Sequence, residues 1–185
     1  MLKQDRLDID WVAFNKQLDK RVDVEVSRGA LLENVYDKEG YEQIPDQLQA
    51  ILNQLNAQKI MYESDTFVPL LPKGFLERNN ISTKNVLIKI LEHPPGTNTW
   101  PHMDTYNSAK RKFGLATDAK VKRLWIPCMD YVFGHILCVE KQVVIDYKAG
   151  DVFEFPQNIM HSAFNIGINT RRVMTVTGEE VAEAA

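Results

Sequence analysis

From Val86 onward the apolar residues recur at every second position, and that alternation asks for extended strands packed on at least one face. Val86, Ile88 and Ile90 alternate with Leu87, Lys89 and Leu91 until His93-Pro94-Pro95-Gly96 ends the run. Further strands are predicted at 122–129, 134–139, 143–147, 152–155, 160–164 and 172–177, set apart by turn-forming Gly, Pro, Asn and Asp. Short strands at regular spacing with turn signals between them predict a sandwich or barrel.

The front of the chain has a helical period instead. Residues 8–21 place Ile9, Val12, Phe14 and Leu18 near one side of a helix, with Asp8 or Asp10 as its cap. Residues 46–58 repeat the pattern with Leu48, Ile51, Leu52 and Leu55 behind Pro45, which suits a helix start. Such helices are expected to buttress the outer face of the larger sheet, while 28–42 is polar and reads as strand or loop. With 185 residues, 44% apolar content and no internal repeat, the chain is expected to be one domain.

Against this background three polar residues and an arginine stand out. His102 and Asp104 are two apart, so on a strand or at its exit they reach one point from one side. His161 follows far downstream and Arg171 ten residues later. Two imidazoles and one carboxylate on one metal cover one face of an octahedron and leave three cis positions open. His-x-Asp alone is a weak pattern, and a solvated loop is its plain reading. The downstream context strengthens it: a Gly150-Asp151 turn, a short strand, a break at Pro156, a strand near His161, a turn over 165–169 and a final strand.

Residues 102–178 resemble the core of the Fe(II)/2-oxoglutarate-dependent dioxygenase superfamily, whose members share H-x-D, a distal His in an H-x-x-x-N-x-G context and an Arg about ten residues on. His161, Asn165, Gly167 and Arg171 match the last two elements. The resemblance covers a little under half the chain. It implies a mainly β fold with flanking helices, a double-stranded β-helix or jelly roll of the cupin-like kind, with the helical part at about 1–80 and the β-helix core at about 84–178 of a single domain 1–185. It also implies Fe(II) held by His102, Asp104 and His161 at the barrel mouth, with Arg171 paired to the distal carboxylate of 2-oxoglutarate as co-substrate. The activity implied is hydroxylation of an amino-acid side chain, in a small molecule or exposed peptide, or of another small organic substrate; O2 is consumed and succinate and CO2 are released.

An arginine suits that task because its planar fork holds a carboxylate by two parallel hydrogen bonds and its charge does not titrate away. Arg171 and Arg172 point to opposite faces of one strand, so only one can look into the barrel. Counting from His161 favours Arg171 with Val173, Thr175 and Thr177; the other register groups Arg172 with Met174 and Val176. Relatives often place Ser or Thr two residues after this Arg, where this chain has Val173. Arg123-Leu124-Trp125-Ile126-Pro127 resembles the R-x-H-x-P strand of aspartyl/asparaginyl β-hydroxylase-like members, with Trp125 in place of their His. Arg123 is therefore either a contact to co-substrate or substrate, or a plain surface charge.

Other residues have simpler readings. His93 and His135 are expected to be surface or satisfied core histidines, and Asn165 to cap the turn before the last strand. Trp100, Tyr106 and Asn107 either line the mouth or pack. Specificity is expected to lie in rim loops such as 61–80 and 107–120. Lys110-Arg111-Lys112 and Lys120-Val121-Lys122-Arg123 read as solvated loop charges, or as an electropositive rim drawing in an anion. A net charge of -3 with interspersed signs gives no nucleic-acid footprint. Cys128 and Cys138 are expected in the core, and with no signal-peptide or membrane-spanning stretch a reducing cytoplasm is the expected setting. Two other functions fit parts of the pattern: a redox-inert cupin-like metal protein, such as an isomerase or small-ligand binder, and a non-catalytic interaction module. The first leaves Arg171 without a task, and the second makes the ordered set a coincidence.

Overall fold

A strand that alternates apolar residues on one face and mixed residues on the other must bury both when it lies between a barrel interior and a covering helix. The computed structural model, which describes residues 3–19, 60–63, 70–155 and 157–181, arranges the strands in this way. In chain order the elements are β1 (Lys3–Arg6), α1 (Trp11–Asp19), β2 (Ile60–Glu63), α2 (Phe75–Arg78), β3 (Ile81–His93), β4 (Asn98–Met103), α3 (Asn107–Phe113), β5 (Val121–Pro127), β6 (His135–Val139), β7 (Gln142–Val144), β8 (Asp151–Phe155), β9 (Met160–Asn165) and β10 (Arg171–Glu180).

They form a six-stranded sheet in the order β1-β8-β5-β10-β3-β2 and a four-stranded sheet in the order β4-β9-β6-β7. Every pairing is antiparallel. From β3 the chain passes to the small sheet at β4, back at β5, over again for β6 and β7, and so on to β10. That alternation between two facing sheets is the double-stranded β-helix, so the expected mainly β jelly roll with flanking helices is the fold.

The larger sheet has two buried faces. Outward, Ile88, Ile90, Leu124, Ile126, Met174 and Val176 pack with Phe14 and Leu18 of α1 and Phe75 and Leu76 of α2. Inward, Trp125, Phe153, Phe155 and Val173 meet Leu137, Val139 and Ala163 of the small sheet. β10 therefore sends Arg172, Met174 and Val176 outward and Val173 inward, which places Arg171 on the interior side. Arg172 locks α1 to the sheet: its Nε donates to Glu92 Oε1 at 2.6 Å and its Nη2 to Asp19 Oδ1 at 2.5 Å.

The helical front differs from expectation in detail. The helix expected over 8–21 occupies Trp11–Asp19, capped by Asp10, whose Oδ1 accepts from the Ala13 N–H at 2.9 Å. Val12 is 65% exposed rather than grouped with Phe14, because two residues on a helix turn the side chain about 200° away. The helix expected at 46–58 and the segment 28–42 lie outside the described residues. β1 was not expected: its Lys3-Gln4-Asp5-Arg6 run is polar because it is an edge strand beside β8 with solvent on its free side. The rim segment 107–120 opens with α3, which Gly114 ends in the left-handed conformation at φ 65°. No helix among the described residues is long and apolar enough to cross a membrane.

Candidate active site

The two histidines meet because β4 and β9 are neighbours with His102 and His161 directly opposed in register. Residues opposed in an antiparallel pair have Cβ atoms about 5 Å apart, close enough for both rings to address one point. Their ring centres are 4.1 Å apart. Asp104 stands just beyond β4, where its carbonyl accepts from the Asn158 N–H at 3.0 Å and Gln157 Nε2 donates to the Thr105 carbonyl at 3.2 Å. These bonds tie the exit of β4 to the entry of β9. His102 Nε2 lies 3.8 Å from Asp104 Oδ1, and His161 Nε2 lies 3.6 Å from Asp104 Oδ2. One ligand atom from each of the three residues falls within 4.8 Å of the others, so the group could hold a metal ion.

His161 has its tautomer set by its backbone. Nδ1 lies 2.9 Å from the Ile159 carbonyl, which can only accept, so Nδ1 carries the proton and Nε2 keeps its lone pair for a cation. Burial, and then the neighbouring His102 ring, push the His161 pKa down to about 4. Protons therefore compete with a cation for this ring only near that value. In the metal-free protein the unfolded chain binds a proton at His161 from about pH 6.5 while the folded chain does so only near 4, so this contribution to stability is lost as pH falls through that window. Melting of the metal-free protein between pH 7 and 4 should show the decline, and His161→Gln should flatten it. An equal slope in the variant would place the effect elsewhere.

Arg123 does not stand free at the surface. On β5 it lies opposite Thr177 of β10, and its Nε donates to Thr177 Oγ1 at 2.9 Å. Its Nη1 donates to Asp104 Oδ2 in a short ion pair, and its guanidinium carbon lies 4.6 Å from the centre of the Tyr106 ring.

Arg171 is 1% exposed at the opposite end of β10, beside His93 in register. Its Nη1 donates to His93 Nδ1 at 3.2 Å, and its guanidinium carbon lies 5.4 Å from the centre of the Trp125 ring. Trp125 is next to Arg123 on the interior face of β5, so the buried guanidinium ends one interior layer, about 7 Å along a strand, below the triad. Tyr147 is also in this layer, its phenol pushed up by burial and drawn down by the Arg171 charge. Among the described residues, Arg171 Nε and Nη2 and the Tyr147 hydroxyl make no hydrogen bond of ordinary geometry, although the guanidinium and the phenol stand close enough to interact, and no carboxylate pairs with Arg171. A charge this deep is costly without a counter-charge.

The remaining sequence candidates take structural places. His93 is 2% exposed; since Arg171 can only donate to Nδ1, its Nε2 carries the proton toward Thr99 Oγ1 at 3.2 Å. His135 is fully buried with Nε2 donating to the Asn169 carbonyl at 2.9 Å. Both are core histidines that shape the Arg171 pocket and the turn before it. Asn165 caps that turn, its Oδ1 accepting from the Gly167 N–H at 3.1 Å and its Nδ2 donating to the carbonyls of His93 and Asn169 at 2.6 and 2.8 Å. Gly134 crosses beneath it so closely that a Cβ there would lie 2.2 Å from the Gly167 nitrogen. Tyr106 packs under Arg123, and the Trp100 side chain lies outside the described residues. Cys128 is buried and Cys138 half-buried, both free thiols. Lys110 Nζ donates to the Thr117 carbonyl and Lys122 Nζ pairs with Glu154 at 2.9 Å, while Arg111, Lys112 and Lys120 are exposed.

Tyr147 and Thr177 had no functional signal in the sequence. A tyrosine after a strand and a threonine in one look like ordinary sheet residues; cross-strand pairing brings Thr177 to Arg123, and packing in the barrel interior brings Tyr147 to the layer of Arg171.

No family model and no curated protein matches the chain. Solved structures that overlap it include a predicted oxalate decarboxylase from Thermotoga maritima, 16% identical over 65% of this chain and 80% of its own, with a TM-score of 0.39. KdgF from Halomonas sp. is 10% identical over 65% of this chain and 78% of its own, TM-score 0.39. A cupin 2 conserved barrel domain protein from Salinispora arenicola is 14% identical over 52% of this chain and 66% of its own, TM-score 0.36. Likeness at this level assigns neither substrate nor activity, and the fold rests on the chain's own strand order.

Proposed function

We propose that the protein is an Fe(II)- and 2-oxoglutarate-dependent dioxygenase, a hydroxylase of an amino-acid side chain or another small organic substrate. The observation that carries the reading is the fully buried Arg171 with two unpartnered N–H groups, one layer beneath a His-Asp-His cluster at the mouth of the same barrel. A metal site alone would suit a redox-inert barrel protein. A metal site above a pocket for an anion suits a chelating keto acid whose far end is a carboxylate.

His102, Asp104 and His161 would hold the iron, and the donor set fits Fe(II) with three adjacent positions left open. When bound, iron and 2-oxoglutarate would together activate O2 to oxidise a substrate C–H bond, one oxygen atom entering the substrate and the other the succinate that leaves with CO2. Arg171 would receive the distal carboxylate through its free Nε and Nη2, with the Tyr147 hydroxyl as a further donor. Tyr147 thereby fills the hydroxyl role that Val173 cannot. Trp125, Phe155 and Val173 are buried apolar side chains of the same interior and would screen the co-substrate from water, Phe155 standing against His161 with ring centres 4.4 Å apart. Excluding water there strengthens the carboxylate–arginine pairing and limits stray oxidation.

The test is formation of succinate from 2-oxoglutarate under O2, in which uncoupled turnover suffices because no substrate need be known. Product that requires Fe(II) supports the reading. Tight metal binding without any succinate would favour the redox-inert alternative.

A further inference from the structure

Asp104 has two carboxylate oxygens, and the site treats them differently. Oδ1 lies toward His102 and Oδ2 toward His161, but Oδ2 also accepts the Arg123 Nη1 hydrogen bond. The guanidinium that makes this bond is gripped at its other points. Its Nε is bound to Thr177 Oγ1, and one of its faces lies over the Tyr106 ring. Tyr106 is itself fixed: it is 3% exposed, and its hydroxyl donates to the Phe155 carbonyl at 2.8 Å. It holds a left-handed φ of 56°, a conformation that is costly for a non-glycine residue and persists only where the surroundings over-determine it. The threonine and the tyrosine thus form a mount that holds the fork against the Asp104 carboxylate.

The number of oxygens that Asp104 offers decides what the metal can still accept. With one oxygen, the protein fills three positions of an octahedron and leaves three, enough for a two-point keto acid and for O2. With both, it fills four, and a chelating co-substrate would take the last two. We propose that Arg123 is a positioning residue that occupies Oδ2, commits Asp104 to one-oxygen ligation through Oδ1 and so keeps the third coordination position open. This rests on reading His102, Asp104 and His161 as the metal site. The role needs the arginine fork: a lysine has one point charge to offer Oδ2 and no second donor for Thr177.

Mn(II), a redox-stable stand-in for Fe(II), reports the point directly, because pulsed electron paramagnetic resonance in D2O counts the waters on it. The parent protein should show three bound waters and Arg123→Met two, as Asp104 turns to chelate. Thr177→Val, a milder change that keeps the charge and the stack, should give a mixture and serves if Arg123→Met does not fold. Were Arg123 only a structural prop, its loss would lower the melting temperature and leave the count at three. Three waters in every folded variant overturns the proposal while leaving the metal site intact. Failure of the parent protein to bind Mn(II) at the triad overturns the metal-site reading and the proposal with it.

Discussion

Arg171→Ala is expected to weaken 2-oxoglutarate binding by ~2–5 kcal/mol, a loss of about thirty-fold to several thousand-fold, while Fe(II) binding survives. The size follows from depth: Arg171 is 1% exposed, so a carboxylate brought beside it is stripped of water and cannot be re-solvated when the guanidinium is gone. Fe(II) binding survives because the arginine lies a layer away from His102, Asp104 and His161. Arg172→Ala separates the two neighbours. It should leave 2-oxoglutarate affinity unchanged and instead lower stability, because it removes the guanidinium that Glu92, 6% exposed, pairs with and releases α1 at Asp19. Calorimetric titration of the co-substrate and denaturant melts of both variants read these effects side by side. Weakened binding in Arg172→Ala alone would transfer the anchor to Arg172.

His161→Ala is expected to abolish stoichiometric Fe(II) binding, and His102→Ala to do the same. Two remaining protein ligands rarely hold a labile divalent ion, and the loss should exceed the ~10–100-fold typical of removing a supporting group outside the ligand set. The packed rings also make this test clean. His102 and His161 are 12% and 11% exposed, so each alanine opens space at the mouth without removing a core anchor of either sheet. Iron content after anaerobic loading and desalting measures the outcome. Full iron occupancy in both variants would sink the triad.

The strands were legible because alternation survives tertiary context: Val86, Ile88 and Ile90 point where the pattern says, into the layer beneath the helices. The metal candidates were legible because few residue types can ligate iron, and two of them in His-x-Asp spacing point the same way. The choice between Arg171 and Arg172 was not settled by pattern, for a physical reason. Both faces of β10 are buried, so Met174 and Val176 outside are as apolar as Val173 inside. Only the placement of α1 and Glu92 against one face shows which arginine looks inward. Tyr147, Thr177 and the mount around Arg123 were hidden for a different reason. Their roles come from contacts between positions 17 to 54 apart in sequence, such as Arg123 with Tyr106 and with Thr177, and no local spacing carries such information. The β1 edge was missed because an outermost strand can be polar throughout.

A dioxygenase of this kind must hold iron at the mouth of the barrel and a keto acid behind it. Anaerobic titration of 2-oxoglutarate into the Fe(II)-loaded protein, followed by the metal-to-ligand charge-transfer band that keto-acid chelation produces, tests both at once. The band should grow with 2-oxoglutarate and saturate at one equivalent, fail to form in His161→Ala, and require far more co-substrate in Arg171→Ala. An Fe(II)-loaded parent protein that binds no 2-oxoglutarate and shows no band would contradict the dioxygenase reading.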